Sequence, residues 1–158
     1  MEHEENKKKF KTINPATNKS EKEFDHSSDE YIKAAFEKAD EVFRSWKKKS
    51  FEERAELLNN VSKLMKKRSD ELAKLCCIEM GKIFKEAKGE IEVCIGILEY
   101  YAKNGKDILK DKPIETPHGK AFIAYEPIGV IFSIQPWNFP FYQVIRSAAP
   151  SIIARNTY

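Results

Sequence analysis

With 158 residues the chain has one domain's worth of length, and 41% hydrophobic residues are enough to build a core. Charged residues make up 34%, mean hydropathy is -0.60, and no run approaches the ~18 uninterrupted apolar residues of a membrane span, so the sequence argues for a soluble protein without membrane partners. The net charge of +3, from 28 basic and 25 acidic residues, is too balanced to indicate nucleic acid. The lysine runs 7–9 and 47–49 alternate with acidic blocks and read as solvated helix faces. The first residues, MEHEENKKK, lack the apolar stretch of a secretory signal, and the expected location is the cytoplasm. Cys76, Cys77 and Cys94 are odd in number with two adjacent, a poor disulfide framework. No CxxC or His-rich spacing suggests a metal, and His3, His26 and His118 are scattered.

In chain order, residues 1–9 are expected to be a disordered tail. Residues 10–13 suit a short strand, and the Asn14-Pro15-Ala16-Thr17-Asn18 cluster suits a turn. Ser27, with Glu30 three residues on, offers a capping box for a first helix with Ile32, Ala35, Phe36, Ala39, Phe43 and Trp46 at helical spacing. Ser50 and Glu53 repeat the signature for a second helix burying Leu57, Leu58, Val61, Leu64 and Met65. Ser69 or Asp70 would cap a third helix through Leu72, Leu75 and Cys76, ending near Gly81. A fourth spans about 83–109, with Ile91, Cys94, Ile95, Leu98 and Ala102 inward. Pro117 and Gly119 then frame a turn, and Phe122, Ala124 and Tyr125 alternate into a strand.

The stretch 125–158 reads as strand, loop, helix. Residues 128–134 form an apolar, β-branched run opened by Pro127 and broken by Pro136. A continuously apolar strand implies cover on both faces, as in a parallel α/β sheet. Pro140 suits the first turn of a helix, where its missing N–H costs nothing. That helix carries Phe141, Val144, Ile145, Ala148, Ala149 and Ile152 on one face. Ligands of such sheets sit beyond the carboxyl ends of the strands, where Asn138 lies.

The segments EPIGV, QPWNFPF and AAPSIIARN resemble the PWNFP region of the NAD(P)-dependent aldehyde dehydrogenases. Upstream, INPAT (13–17), EMGK (79–82), Glu86-Ala87 and Tyr100-Tyr101 fit the same family in its order, so the resemblance covers nearly everything after about residue 10. It implies a second short strand over 20–24 and a fold that is α/β: the helix-rich amino-terminal part of a Rossmann-like cofactor-binding domain with an incomplete parallel sheet. In this division 10–110 is the helical part, 111–126 a strand segment that crosses to a partner subunit of a homo-oligomer, and 127–158 the start of the sheet. The family's chain is several times longer, so the sequence is expected to be an amino-terminal piece.

In the chemistry that the resemblance implies, a cysteine thiolate attacks the aldehyde, hydride leaves the tetrahedral oxyanion for the nicotinamide of NAD or NADP, and water activated by a glutamate hydrolyses the thioester. Asn138 is the matching oxyanion donor; read from its residue type alone it equally satisfies loop backbone. Ile134, Gln135, Pro136 and Trp137 match the cofactor-binding strand end, with Trp137 also readable as core. No GxGxxG occurs, and the family binds its cofactor without one.

Arg146 stands eight positions beyond Asn138 in an otherwise apolar stretch. Succinate-semialdehyde dehydrogenases carry an arginine there, which implies a substrate carboxylate as its partner; a solvated or internally paired arginine is the alternative. Phe139, Tyr142 and Gln143 read as pocket lining or as core. The three cysteines sit within amphipathic helices and are not expected to be the nucleophile, which in the family lies downstream together with the general base. Arg155 stands where the family usually has glycine; if that site needs a left-handed conformation, a residue other than glycine costs roughly 1–2 kcal/mol there. Two functions follow: part of an enzyme oxidising succinate semialdehyde or a similar small aldehyde, inactive as this chain alone, or a non-catalytic remnant acting as a binding or interaction protein.

Overall fold

The computed structural model describes residues 9–158. Of the tail expected over residues 1–9, all but Lys9 lies outside the described residues. An antiparallel hairpin opens the chain, β1 (Phe10–Asn14) with β2 (Lys19–Phe24), Phe10 opposite Phe24. Its turn is the expected one. Asn14 Oδ1 accepts from the Ala16 amide at 3.0 Å, and Asn18 takes a left-handed φ of 55° that asparagine tolerates.

Helix α1 (Asp29–Trp46) is capped by Ser28, whose Oγ accepts from the Tyr31 amide at 3.2 Å, and not by Ser27. The shift by one residue puts Asp29 and Glu30 in the first turn, against the positive end of the helix dipole. Its apolar stripe is not a core face. Ile32 and Phe36 are exposed, Ala39, Phe43 and Trp46 are half-buried, and no α1 side chain is fully buried among the described residues. The reason is what lies opposite: Phe36 meets Phe132, ring centroids 5.9 Å apart, and Phe132 is itself 72% exposed.

Helix α2 (Phe51–Lys67) begins with both halves of the expected capping box, Ser50 Oγ accepting from the Glu53 amide and Glu53 Oε2 from the Ser50 amide. It buries Ala55, Leu58, Ser62 and Met65, leaves Val61 half-buried, and exposes Leu57 and Leu64. The small Ala55 and Ser62 sit where the fourth helix approaches, so the buried stripe is rotated from the more hydrophobic one. Helix α3 (Ser69–Met80) has Arg68 as its cap residue and no side-chain cap from Ser69 or Asp70; Leu75 is exposed. It ends at Gly81, φ 69°, where a Cβ would stand 2.8 Å from Pro15 Cγ. The INPAT turn and the EMGK helix end therefore touch at a point where only glycine fits.

Helix α4 (Phe84–Ile108) is the central element and buries Ile91, Cys94, Leu98 and Ala102 as expected. With α2 and α5 (Pro140–Ile153) it encloses the main core, which includes Leu58, Ile91, Cys94, Leu98, Ala149 and Ile153. A smaller cluster of Ala73, Cys76 and Ala87 joins α3 to α4. On α5 the buried residues are Ala148, Ala149 and Ile153, while Ile152 is half-buried and Val144 exposed.

Between α4 and α5 lie a hairpin, β3 (Lys112–Ile114) with β4 (Ala121–Ile123), and then the extended run 128–134. This run is not a full strand. It makes one parallel bridge, Val130 with Thr157, through Ile131 N–H to Thr157 O at 2.8 Å and Thr157 N–H to Gly129 O at 3.2 Å. Run, helix and bridge trace a β-α-β crossover whose ladder ends there, because no further strand among the described residues lies beside it. Ile128 and Ile134 are consequently 85% and 84% exposed.

Arg155 adopts the left-handed conformation, φ 71°. Its guanidinium donates to Tyr125 O at 2.6 Å and reaches Glu126 at 3.4 Å. Alanine at this position would keep the strain and lose the tether, whereas glycine would remove the strain. We expect Arg155→Gly to exceed Arg155→Ala in stability by about 1–2 kcal/mol in urea unfolding. Equal stabilities would mean that no strain is stored there.

Candidate active site

Helix α5 is held at both ends by side chains from other helices. Its cap residue, Phe139, offers no side-chain acceptor. The Glu90 carboxylate of α4, fully buried, takes that place, with Oε1 accepting from the Phe141 amide at 2.9 Å and the Tyr142 amide at 3.0 Å. Its Oε2 accepts from Lys82 Nζ at 2.6 Å, and that ammonium lies 3.5 Å from the centroid of the Phe139 ring. A buried anion at a helix start complements the dipole and fills otherwise orphaned amides.

At the other end the buried Arg54 donates through Nε to Ile153 O at 3.0 Å and through Nη1 to Lys49 O. Trp46 Nε1 donates to Ile152 O at 3.2 Å. Just beyond, the buried Asn156 carboxamide accepts from the amides of Ile128 and Gly129 at 2.8 and 3.0 Å, which seats the start of the extended run on the end of α5.

The candidate residues ride on this clamped helix. Asn138 is exposed in the turn before it; its Oδ1 accepts from Gln143 Nε2 at 3.4 Å, and its Nδ2 has no acceptor among the described residues. Phe139 and Tyr142 meet edge to face, 6.1 Å between centroids, and wall a cavity of about 660 Å³ together with Lys82, Glu86, Gly89 and Val93. Arg146 is exposed one turn beyond, its guanidinium 5.8 Å from the centre of the Tyr142 ring. No carboxylate pairs with Arg146 among the described residues. Phe139, Tyr142 and Arg146 thus follow one edge of α5 at helical spacing, with Asn138 at its start.

The other candidates lie elsewhere. Trp137, 60% exposed, lines a second cleft of about 310 Å³ with Thr12, Leu75 and Phe141. Ile134 and Pro136 are exposed, and the Gln135 amide donates to Ser133 Oγ and, at 3.1 Å, to Ser147 Oγ. Glu90, Lys82 and Asn156 carry much of the geometry without having been singled out. The available signal for Glu90 was its place between Ala87, Ile91 and Cys94, an acid on an apolar stripe that has to be paired when buried.

Cys76 and Cys94 are buried. Burial, reinforced by the Glu90 charge, pushes the Cys76 thiol up to about 11 and the Cys94 thiol up to about 12, so both stay protonated near neutrality. Cys77 is half-buried against the Ala73–Cys76–Ala87 cluster. Among the described residues no group of three or more His, Cys, Asp or Glu is placed to hold a metal, and no helix is long and apolar enough to cross a membrane.

Comparison with known proteins agrees with the motifs. The sequence profile of the aldehyde dehydrogenase family matches residues 2–158. The chain is 42% identical over 148 residues to a succinate-semialdehyde dehydrogenase [NADP(+)] of Deinococcus radiodurans, covering 94% of this chain and 31% of that protein. It is 38% identical to a probable succinate-semialdehyde dehydrogenase [NADP(+)] of Synechocystis, covering 92% and 32%. The crystal structure of succinic semialdehyde dehydrogenase from Streptococcus pyogenes with NADP+ superimposes with a TM-score of 0.90 at 36% identity, over 93% of this chain and 32% of that one. The chain therefore spans about a third of the length of these relatives. On the motif order, the fold and these matches, the chain belongs to the aldehyde dehydrogenase family.

Proposed function

We propose that this chain supplies the oxyanion donor and the carboxylate anchor of an active site that oxidises succinate semialdehyde, or a similar small aldehyde, to the acid with NADP. The observation that carries the reading is the edge of α5, where a carboxamide whose NH2 and an arginine whose guanidinium find no hydrogen-bond partner among the described residues flank the Phe139–Tyr142 wall. Asn138 Nδ2 is a neutral donor that stabilises negative charge developing on a carbonyl oxygen and carries no charge of its own to hold the departing hydride. Arg146 offers a planar fork to a carboxylate at the far end of a short substrate. The names of the relatives, which are NADP-dependent succinate-semialdehyde dehydrogenases, support the same substrate and cofactor.

Ile134, Gln135, Pro136 and Trp137 would hold the nicotinamide half of the cofactor, which supplies the hydride acceptor. They fit: the segment is anchored by Gln135 to Ser133 and Ser147 while the Ile134 and Trp137 side chains stay exposed. The buried Cys76 and Cys94 thiols, held protonated near neutral pH by burial, have no nucleophile's part in this reading.

Arg146 gives the test. In an active enzyme carrying this segment, Arg146→Ala is expected to lower kcat/KM for succinate semialdehyde by about 10- to 100-fold, the worth of a charge-assisted hydrogen bond. For butanal, of the same length and uncharged, kcat/KM should stay within about threefold. An equal loss for both aldehydes would rule out the anchor.

A further inference from the structure

We infer that Glu90, with Lys82 as its counter-ion, is a positioning residue for the Asn138 carboxamide, acting through the first turn of α5. The inference rests on the oxyanion reading of Asn138 but is carried by different observations. Glu90 belongs to α4, and the candidate site belongs to the turn and helix some fifty residues later. Its carboxylate is fully buried, yet it makes three hydrogen bonds, two to the amides of Phe141 and Tyr142 and one to Lys82 Nζ. A buried carboxylate is costly unless paired and hydrogen-bonded, and both conditions are met at the start of α5.

The consequence is mechanical. Pro140 removes one donor from the first turn, and Phe139 has no acceptor to lend, so the exposed amides of α5 depend on a group from outside the helix. Fixing Phe141 and Tyr142 fixes the register of Gln143, the residue that bonds to Asn138 Oδ1 at 3.4 Å and leaves Nδ2 without an acceptor among the described residues. Next to Asn138 in the chain, the Phe139 ring has the Lys82 ammonium 3.5 Å from its centroid. The Glu90–Lys82 pair thus grips Phe139, Phe141 and Tyr142, the turn that directly follows the carboxamide, and lines the same cavity as Phe139 and Tyr142. Nothing in the geometry brings Glu90 to the reacting atoms; it acts on the donor's place.

The test has a structural and a kinetic arm. In the 158-residue chain, amide hydrogen exchange at Phe141 and Tyr142 should accelerate about 10- to 100-fold in Glu90→Ala, and Glu90→Gln, which keeps an acceptor oxygen but loses the charge and the Lys82 pair, should recover only part of the protection. Amides at Leu58 and Leu98 report whether the core survives. In an active enzyme carrying this segment, Glu90→Gln should lower kcat for succinate semialdehyde about tenfold, with KM for NADP within about twofold. Lys82→Met, which keeps the stem over Phe139 without the charge, should fall between Glu90→Gln and wild type.

Wild-type exchange at both amides in Glu90→Ala would overturn the inference. So would kcat in Glu90→Gln equal to wild type while Asn138→Ala is impaired. If instead Asn138→Ala were fully active, the oxyanion reading would fall and the positioning role with it, although the amide exchange would still record the cap. If Glu90→Ala does not fold, Glu90→Gln and Lys82→Met carry the same comparison.

Discussion

Asn138→Ala is expected to lower kcat by about 10²–10³-fold in an active enzyme carrying this segment, the loss found when one oxyanion-hole donor is removed. The aldehyde's carbonyl oxygen is nearly neutral in the ground state and gains its charge only on nucleophilic attack, so a donor aimed at that charge contributes to kcat far more than to KM. The Asn138 side chain suits the task because its acceptor end is engaged by Gln143 and its donor end is free among the described residues. Asn138→Asp sharpens the test. It keeps the size and an acceptor for Gln143 but replaces the NH2 by a charged oxygen beside the developing oxyanion, and should be at least as impaired. Steady-state kinetics at saturating NADP would measure both. Full activity in the alanine variant would return Asn138 to an ordinary turn residue.

Asn156→Ala is expected to produce a large loss of stability. The side chain is buried and accepts from the amides of Ile128 and Gly129, while its NH2 reaches the carbonyls of Ser151 and Ala154. Each part-buried amide left without an acceptor costs about 1–2 kcal/mol, the lower part of the range for a buried group, so the two together predict a loss of about 2–4 kcal/mol. With urea m-values of about 1–3 kcal/mol/M, this is a midpoint shift of roughly 0.7–4 M. Trp46, whose indole bonds to Ile152 O, reports the transition by fluorescence. Asn156→Asp separates the contributions, since it retains the oxygen that accepts both amides and loses only the donors, and should recover about half of the loss. A midpoint within about 0.3 M of wild type for the alanine variant would mean that water replaces the side chain without penalty.

The helix inventory was legible because each signal is local. Ser50 and Glu53 close their box within one turn, Pro140 needs only its own fixed φ, and Gly81 ends α3 by taking a left-handed φ. The stripe of α4 was read correctly because that helix is packed from several directions, so its hydrophobic face and its buried face coincide. On α1 and α2 they do not coincide. Ile32, Phe36, Leu57 and Leu64 are as periodic as any core residues, yet periodicity records what a helix offers, and burial depends on what arrives opposite. The run 128–134 makes the same point for strands: its composition is that of a buried strand, but a ladder needs a neighbour, and Thr157 provides a single bridge.

The candidate site divides along the same line. By itself the sequence nominated the side chains proposed to carry chemistry, Asn138 and Arg146 eight positions apart around PWNFP, and marked Arg155 as a residue in a glycine's place, where it takes a left-handed φ of 71°. Only the tertiary structure decided what holds them. Glu90 and Lys82 meet the start of α5 from α4 and the turn before it, Arg54 meets its end from α2, and Asn156 seats the extended run. These groups are set by the crossing of helices far apart in the chain. A carboxylate fifty residues away becomes a helix cap only when packing removes it from water and leaves two backbone amides as its remaining partners.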